Sequence, residues 1–411
     1  MATTVVIIND FAHTNGGASK IALTSAIALA EKGLTVILFT AVGPISPELA
    51  ASGVTVVCTG QHEILADPSR FRAITQGIWN TTAGRRLGEV LDGLDPSRTV
   101  VHLHSWTKAL SSSVVRTAIR KKFRVVCTLH DYFTVCPNGV FFNFQGNNIC
   151  RHEPMSSRCI ASNCDSRSYT HKLWRAVRQG VQNRFGMVPR GICHFIAPSS
   201  FSSDRLHTYL PAGAKIHLLA NVIDVRKGTP APAARNSIFL FIGRLAKEKG
   251  PLLLAEAASS AGLEVVFVGE GECAGTIERI SPSATITGWV GRDELSDWLG
   301  RARALVIPSL CYETFGLVAL EAAAAGVPAI VSDTCAARDL VVDGETGSWF
   351  AGGNVPDLIR KMNQFQDDIL VGTLGSAAYD RYWSQPLTKE AHADKLATIY
   401  EEIMRDTPPE C

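Results

Sequence analysis

Two glutamates with seven residues between them stand in the stretch Cys311-Tyr312-Glu313-Thr314-Phe315-Gly316-Leu317-Val318-Ala319-Leu320-Glu321-Ala322. The pattern reads as a loop that runs into a helix. Glu313 belongs to the loop. Glu321 lies about two turns into the helix and, at roughly 100° per residue, nearly on the same side. The N–H groups of Phe315, Gly316 and Leu317 fall at the helix start, where backbone donors lack helical partners and attract an anion. Gly316 permits close approach of a ligand. Glu321 is flanked by Leu320 and by Ala322, Ala323, Ala324 and Ala325, an apolar setting in which a carboxylate without a partner is costly. Earlier in the chain, Gly243-Arg244-Leu245-Ala246-Lys247-Glu248-Lys249-Gly250 follows an apolar run. Arg244 offers a planar fork of donors and Lys249 a compact charge, both suited to a phosphate.

The first half carries a different set. His13, His102, His104 and His130 lie at or near the ends of expected strands. His130 is followed by Asp131, and Cys136-Pro137-Asn138 opens a long loop, so His130 is a candidate contact to a sugar or acceptor, able to exchange a proton near neutral pH. Cys136, Cys150, Cys159 and Cys164 are separated by thirteen, eight and four residues, with no Cys-x-x-Cys pair. A structural zinc site, disulfides and buried thiols stay open as alternatives for them. After this loop, residues 166–190 carry Arg167, Lys172, Arg175, Arg178, Arg184 and Arg190 and no acid. On a helix, Leu173, Val177, Val181 and Phe185 share one face, with Lys172, Arg175 and Arg178 largely opposite. That is either an amphipathic helix packed on its own sheet or a cationic surface for a membrane or a lipid diphosphate, each nearby cation contributing about 1 kcal/mol. The cluster Arg120-Lys121-Lys122-Phe123-Arg124 adds to it. No nucleic-acid recognition motif is present.

These groups need a scaffold that places them at strand ends. Short apolar runs alternate with helical patterns. Strands are predicted at 3–10, 35–40, 53–59, 100–104, 124–130 and 194–198, with helices at 17–32, 69–92, 107–122 and 168–185. The second half repeats the rhythm, with strands at 238–243, 264–269, 284–290, 304–309 and 329–333 and helices at 250–261, 292–301 and 315–325. Continuous apolar strands separated by helices predict parallel sheets covered on both faces. The fold class is therefore α/β, with two doubly wound Rossmann-like domains. The N-terminal domain spans 1–224 and holds the cysteine-bearing loop 136–164. Residues 225–237, rich in Pro and Ala, form the linker, and 238–380 the C-terminal nucleotide-binding domain. Residues 381–411 carry a helix at 387–405 that packs back on the N-terminal domain. In such sheets ligands bind at the carboxyl ends of the strands, and a cleft between two domains is the expected active site.

Composition narrows the class. The chain has 411 residues, 46% hydrophobic and 19% charged, which excludes wholesale disorder and supports two or three domains. No uncharged apolar run is long enough to span a bilayer. The start, MATTVVIIND, has no basic n-region and reads as a first strand rather than a signal peptide. Eleven cysteines are too sparse for a disulfide scaffold, and a reducing, cytoplasmic setting is expected. The net charge of +2 hides an asymmetry: residues 1–224 hold 23 Lys and Arg against 13 acids, and the rest 17 against 25. A basic half beside an acidic half predicts an anionic partner for the first.

Taken in order, Gly16-Gly17, His130-Asp131, Pro198-Ser199, FIGRLAKEKG at 241–250, VGEG at 268–271, GWV at 288–290 and PSLCYETFGLVALEAAAAGVPAIVSD at 308–333 resemble the retaining family 4 glycosyltransferases of the GT-B fold, of the bacterial polysaccharide type. The resemblance spans nearly the whole chain. It implies that Glu313 contacts hydroxyls of the donor sugar, that Glu321 holds the ribose, and that Arg244 and Lys249 bind the diphosphate and stabilise the leaving group. Gly16 and Gly17 would lie near the donor phosphates or the acceptor, and His130 near the transferred sugar. Gly269, Trp289, Val290, Phe315, Gly316 and Leu317 complete the implied donor site, and Glu313, His130, Arg244 and Lys249 the catalytic set.

No Asp-X-Asp motif stands at a strand end, and with the cationic clamp no metal or other cofactor is required for transfer. The implied enzyme is cytoplasmic and peripheral to the inner membrane. It would move a hexose from a nucleotide diphosphate sugar to a lipid-linked glycan. A sugar-nucleotide epimerase or an idle scaffold of the same fold are the alternatives.

Overall fold

The computed structural model describes residues 3–406. The chain divides into two compact units. The first holds the residues up to Gly139, His152–Val222 and the residues from Thr388 on, and the second Val140–Arg151 and Ile223–Leu387.

In the first unit seven parallel strands form one sheet in the order Thr55–Cys58, Thr35–Thr40, Thr4–Ile8, Thr99–Leu103, Arg124–Thr128, His194–Ala197, Lys215–Leu218. Val5 to Ile8 and Val100 to Leu103 are wholly buried, as strands covered on both faces must be. The helix Gly17–Glu31 follows the first strand, and the C-terminal helix Lys389–Arg405 lies against it. Leu396, Tyr400 and Ile403 join Ala22, Leu29 and Val100 in one core. The helix Lys389–Arg405 thus returns to the unit that holds the first strand.

The second unit has six parallel strands in the order Thr285–Gly288, Val265–Val268, Ile238–Ile242, Ala302–Ile307, Ala329–Ser332, Gly347–Phe350. Both faces are packed. Phe239, Phe241 and Val306 meet one helix layer, and Leu240, Leu305 and Val331 the other.

Several boundaries differ from expectation for local reasons. The helical pattern 69–92 is two helices, Arg70–Ile78 and Thr81–Asp92. Asn80 breaks it, its side chain capping the second by accepting from Ala83 N at 3.0 Å. The pattern at 107–122 becomes helical only at Ser113, because the amides of residues 108–110 turn to the Asp10 carboxylate instead. The pattern at 168–185 is an α-helix, Tyr169–Val181, that widens into a π turn, Gln182–Gly186. The edge strands Lys215–Leu218 and Gly347–Phe350 and the helices Val355–Gln364 and Asp368–Ser384 were not foreseen. Residue 381 lies inside that last helix, so the returning segment begins later, at Thr388. The cysteine loop is also divided. Its hairpin, Phe142–Asn143 paired with Asn148–Ile149, groups with the second unit.

Candidate active site

In the second sheet the strand order reverses between Ile238–Ile242 and Ala302–Ile307, and the loops leaving these two strands lie side by side. Such a reversal is where open parallel sheets bind ligands. The first loop passes Gly243 and Arg244, makes a turn at Lys247–Lys249, and enters the helix Pro251–Ala261 through Gly250. Gly250 has φ 69°, and a Cβ there would sit 2.1 Å from the Pro308 carbonyl oxygen of the second loop. The two loops can touch only because this residue is glycine. The Glu248 carbonyl accepts from Leu310 N and Cys311 N, at 2.9 and 3.3 Å, which ties them together.

A cavity of about 190 Å³ opens between these loops, with Arg244, Lys249, Ser309, Glu313, Gly316 and Leu317 among its walls. It is smaller than the 300–1,000 Å³ or so of a pocket for a whole ligand, so it suits one part of a larger molecule. Lys249 Nζ lies 3.0 Å from Glu313 Oε1, and the Ser309 hydroxyl donates to the same oxygen. Burial opposes the Lys249 charge, yet the Glu313 carboxylate outweighs it and holds the ammonium above its ordinary pKa. Burial likewise opposes the Glu313 charge, and Lys249 with Ser309 outweighs it and holds the carboxyl below its ordinary value. The pair therefore stays ionised across the neutral range. Arg244 donates to Glu248 Oε1 at 2.5 Å, while its side chain is 68% exposed and keeps further donors for a ligand. The helix Leu317–Ala324 starts at Gly316, φ 102°, with no side chain capping its first amides.

The structure thus brings Arg244, Lys249, Glu313, Gly316 and Leu317 around one cavity, with Phe315 buried beside it. Glu321 lies half-buried further along the same helix, outside the cavity wall. Trp289 is exposed and Val290 packs against the core, and neither lines the cavity. Gly269 has a backing role. Its loop runs against the one that carries Arg244, with Gly243 N donating to Val268 O at 2.9 Å and Leu245 N to Glu270 O at 2.8 Å. Two groups escaped the sequence reading. Ser309 and Glu248 each stand four residues from the charge they brace, a spacing that a search of loop neighbours could have found.

In the first unit, Gly16 precedes the helix Gly17–Glu31 with φ 84°, and a Cβ there would meet nothing within 4 Å. Its requirement is conformational. His130 Nε2 lies 2.9 Å from His104 Nδ1, and the two rings stack. His102 sits beside them, bonded through Nδ1 to the Tyr400 hydroxyl at 2.6 Å and through Nε2 to the Thr128 hydroxyl at 2.7 Å. Burial pushes His130 down to about 3. That direction favours the neutral ring as a hydrogen-bonding group over a proton carrier near pH 7. Asp131 moves the other way, burial raising it to about 6 although Phe133 N–H and Arg178 oppose the shift.

Asp131 carries a pH prediction. A carboxyl raised from its ordinary value of about 3.9 to about 6 contributes stability that is whole below the lower value. That stability is lost as pH rises through the upper one. Asp131→Asn should lack this loss, so the melting-temperature difference between variant and wild type should shift in the variant's favour between about pH 4 and pH 6. A difference that is flat with pH would show Asp131 to be ordinary.

The cysteine readings resolve differently from zinc or disulfides. Cys136, Cys150, Cys159 and Cys164 are thiols. Among the described residues no group of three or more His, Cys, Asp or Glu side chains could hold a metal ion. An ammonium is buried among the sulfurs instead. Lys172 Nζ donates to Cys159 Sγ at 3.4 Å and also bonds the Cys164 sulfur. Asn138 joins Cys136 and Cys164 through its side-chain oxygen and nitrogen.

The family model described as Glycosyltransferase Family 4 matches residues 15–227, and that described as Glycosyl transferases group 1 matches residues 236–368. The chain belongs to glycosyltransferase family 4. This glycosyltransferase is 27% identical over 352 residues to glycogen synthase of Mycobacterium tuberculosis, across 79% of its own length and 81% of that protein. It is 29% identical over 231 residues to phosphatidyl-myo-inositol mannosyltransferase of Propionibacterium freudenreichii, across 51% and 59% of the two chains. Its fold matches that of HepE of Anabaena in complex with UDP, with a TM-score of 0.66 at 16% identity over 98% of this chain and 100% of that one. The two Rossmann-like sheets are those of the GT-B glycosyltransferases.

Proposed function

We propose that this glycosyltransferase moves a hexose from a nucleotide diphosphate sugar to a lipid-linked glycan or polysaccharide, with retention at the anomeric carbon and without a metal ion at the diphosphate. The observation that carries the reading is the set Arg244, Lys249 and Glu313 around one cavity at the start of the helix Leu317–Ala324. Breaking the anomeric C–O bond leaves both electrons on the nucleoside diphosphate. Arg244, Lys249 and the amides at Gly316 and Leu317 are donors for that charge, fixed before the reaction begins. The acceptor hydroxyl forms the new C–O bond on the face that the diphosphate leaves, and its proton passes to the departing phosphate oxygen. Glu313, held ionised by Lys249, accepts from hydroxyls of the sugar. Glu321 takes the ribose. UDP bound to HepE supports a nucleotide donor, and the phosphatidyl-myo-inositol acceptor in the name of one relative supports a lipid-borne one.

Melting the protein with UDP-, GDP-, ADP- and dTDP-sugars tests the donor, since a ligand bound to the native state raises its melting temperature by mass action. One of these classes should stabilise, with EDTA present. Two variants sharpen the test. Glu321→Gln should weaken sugar nucleotide and free nucleotide alike by about tenfold, the loss of a charged hydrogen bond. Glu313→Gln should spare the free nucleotide and lower kcat. No stabilisation by any donor, or transfer that EDTA stops and Mg²⁺ or Mn²⁺ restores, would sink the reading.

A further inference from the structure

The helix Tyr169–Val181 is inside out. Its cations face inward. Lys172 is 1% exposed on the two thiols, and Arg178 is 8% exposed, stacked on Phe133 and Trp174 and donating to the Thr107 and Pro137 carbonyls. Arg175 is half-buried and paired with the buried Asp165 at 3.0 Å. None of the three can reach a headgroup, which corrects the expected cationic face. The apolar residues at every fourth position look outward instead. Tyr169, Leu173, Val177 and, past the π turn, Phe185 are exposed, the last two by 55% and 59%. The helix Arg70–Ile78 packs alongside, its Ile74 carbonyl accepting from Trp174 Nε1 at 3.3 Å, and adds Phe71, 79% exposed, and Ile74. Six of the eleven large apolar side chains that are exposed among the described residues therefore lie on two neighbouring helices. A packed core does not need them there, and such a concentration marks an interaction surface.

The exposed charges around the patch decide what covers it. Arg70 and Arg184 are exposed on these segments, and Arg167 and Arg190 in the residues that flank the second. Of the acids nearest in sequence, Asp67 and Asp165 are buried against Arg72 and Arg175, and Glu63 is half-buried. An isologous pair of such patches would set like charges against each other. Apolar side chains ringed by arginines fit the boundary between headgroups and acyl chains of an anionic bilayer. We propose that the face formed by Arg70–Ile78 and Tyr169–Gly186 docks this enzyme on an anionic lipid surface, with Phe71, Val177 and Phe185 entering the interface and the arginines contacting headgroups. The lipid-linked acceptor proposed above gives the contact its purpose, but the contact stands on the patch alone.

Sedimentation of the full chain with phosphatidylcholine vesicles, with and without phosphatidylglycerol, tests it in the absence of donor and acceptor. Wild type should sediment with the anionic vesicles and not with the neutral ones. Phe71→Ser combined with Val177→Ser should weaken binding about tenfold or more, and Arg184→Gln and Arg190→Gln about fivefold each, with the arginine effect fading in salt. Thermal stabilisation by the sugar nucleotide should be unchanged in all of these, which separates failure of this contact from failure of the donor reading. Wild type that ignores anionic vesicles, or serine variants that bind as wild type does, would overturn the proposal. So would a concentration-dependent dimer lost in the serine variants, because a second copy would then be the occupant.

Discussion

Replacing Lys249 by Ala should lower kcat with saturating donor by about 10²–10³-fold, the scale of losing one pre-placed donor to a developing oxyanion. Two effects combine. The ammonium that would face the leaving diphosphate is gone, and Glu313 loses the charge that keeps it ionised beside Ser309. Arg244→Ala isolates the first effect. Its side chain is largely exposed and braced on its own turn by Glu248, so the melting temperature should hardly move while turnover falls by a similar factor. A Lys249→Ala, Glu313→Gln double variant tests the second. If part of the Lys249 loss is the uncompensated carboxylate, the double loss will be less than the product of the two single losses. Near-wild-type turnover in both Arg244→Ala and Lys249→Ala would remove the clamp from the mechanism.

The largest expected effect on folding comes from Gly269→Ala. Gly269 has φ 145°, and a Cβ there would stand 2.0 Å from the Gly243 carbonyl oxygen. No side chain can swing away, because the obstacle is backbone in the loop that carries Arg244. Backbone strain and overpacking together should cost about 3 kcal/mol or more. The melting transition should fall by about 6–12 °C on that scale. Gly275→Ala is the control, since a Cβ there meets nothing within 4 Å. Equal melting temperatures for the two variants would show that the loops are not held as described.

The chemistry legible in the sequence was local chemistry. Arg244, Lys249, Glu313 and Gly316 lie in short stretches at the ends of apolar strands, and strand ends are set by composition. The sheet strands followed for the same reason: Val5 to Ile8 and Ala304 to Ile307 are buried on both faces and read as unbroken apolar runs. Partners distant in sequence stayed hidden. His104 meets His130 across 26 residues, and Tyr400 reaches His102 across 298. The helix Tyr169–Val181 shows a further limit. Periodicity divided its faces correctly but could not say which looks inward, because thiols, carbonyls and rings from other segments satisfy Lys172 and Arg178.

Asp10 gives the first sheet a character its strand order does not. It leaves the first strand where that order reverses, the place in the second sheet where the cavity opens. Its two oxygens accept from the amides of Lys108, Ala109 and Leu110 at 2.9–3.0 Å. Burial still raises its pKa, so these bonds offset only part of the desolvation. The first sheet therefore carries its own counter-ion. A carboxylate of the chain itself takes three backbone amides at that point. Two sheets with one wiring are in this way made unequal, in line with the proposal that the nucleotide binds at the second.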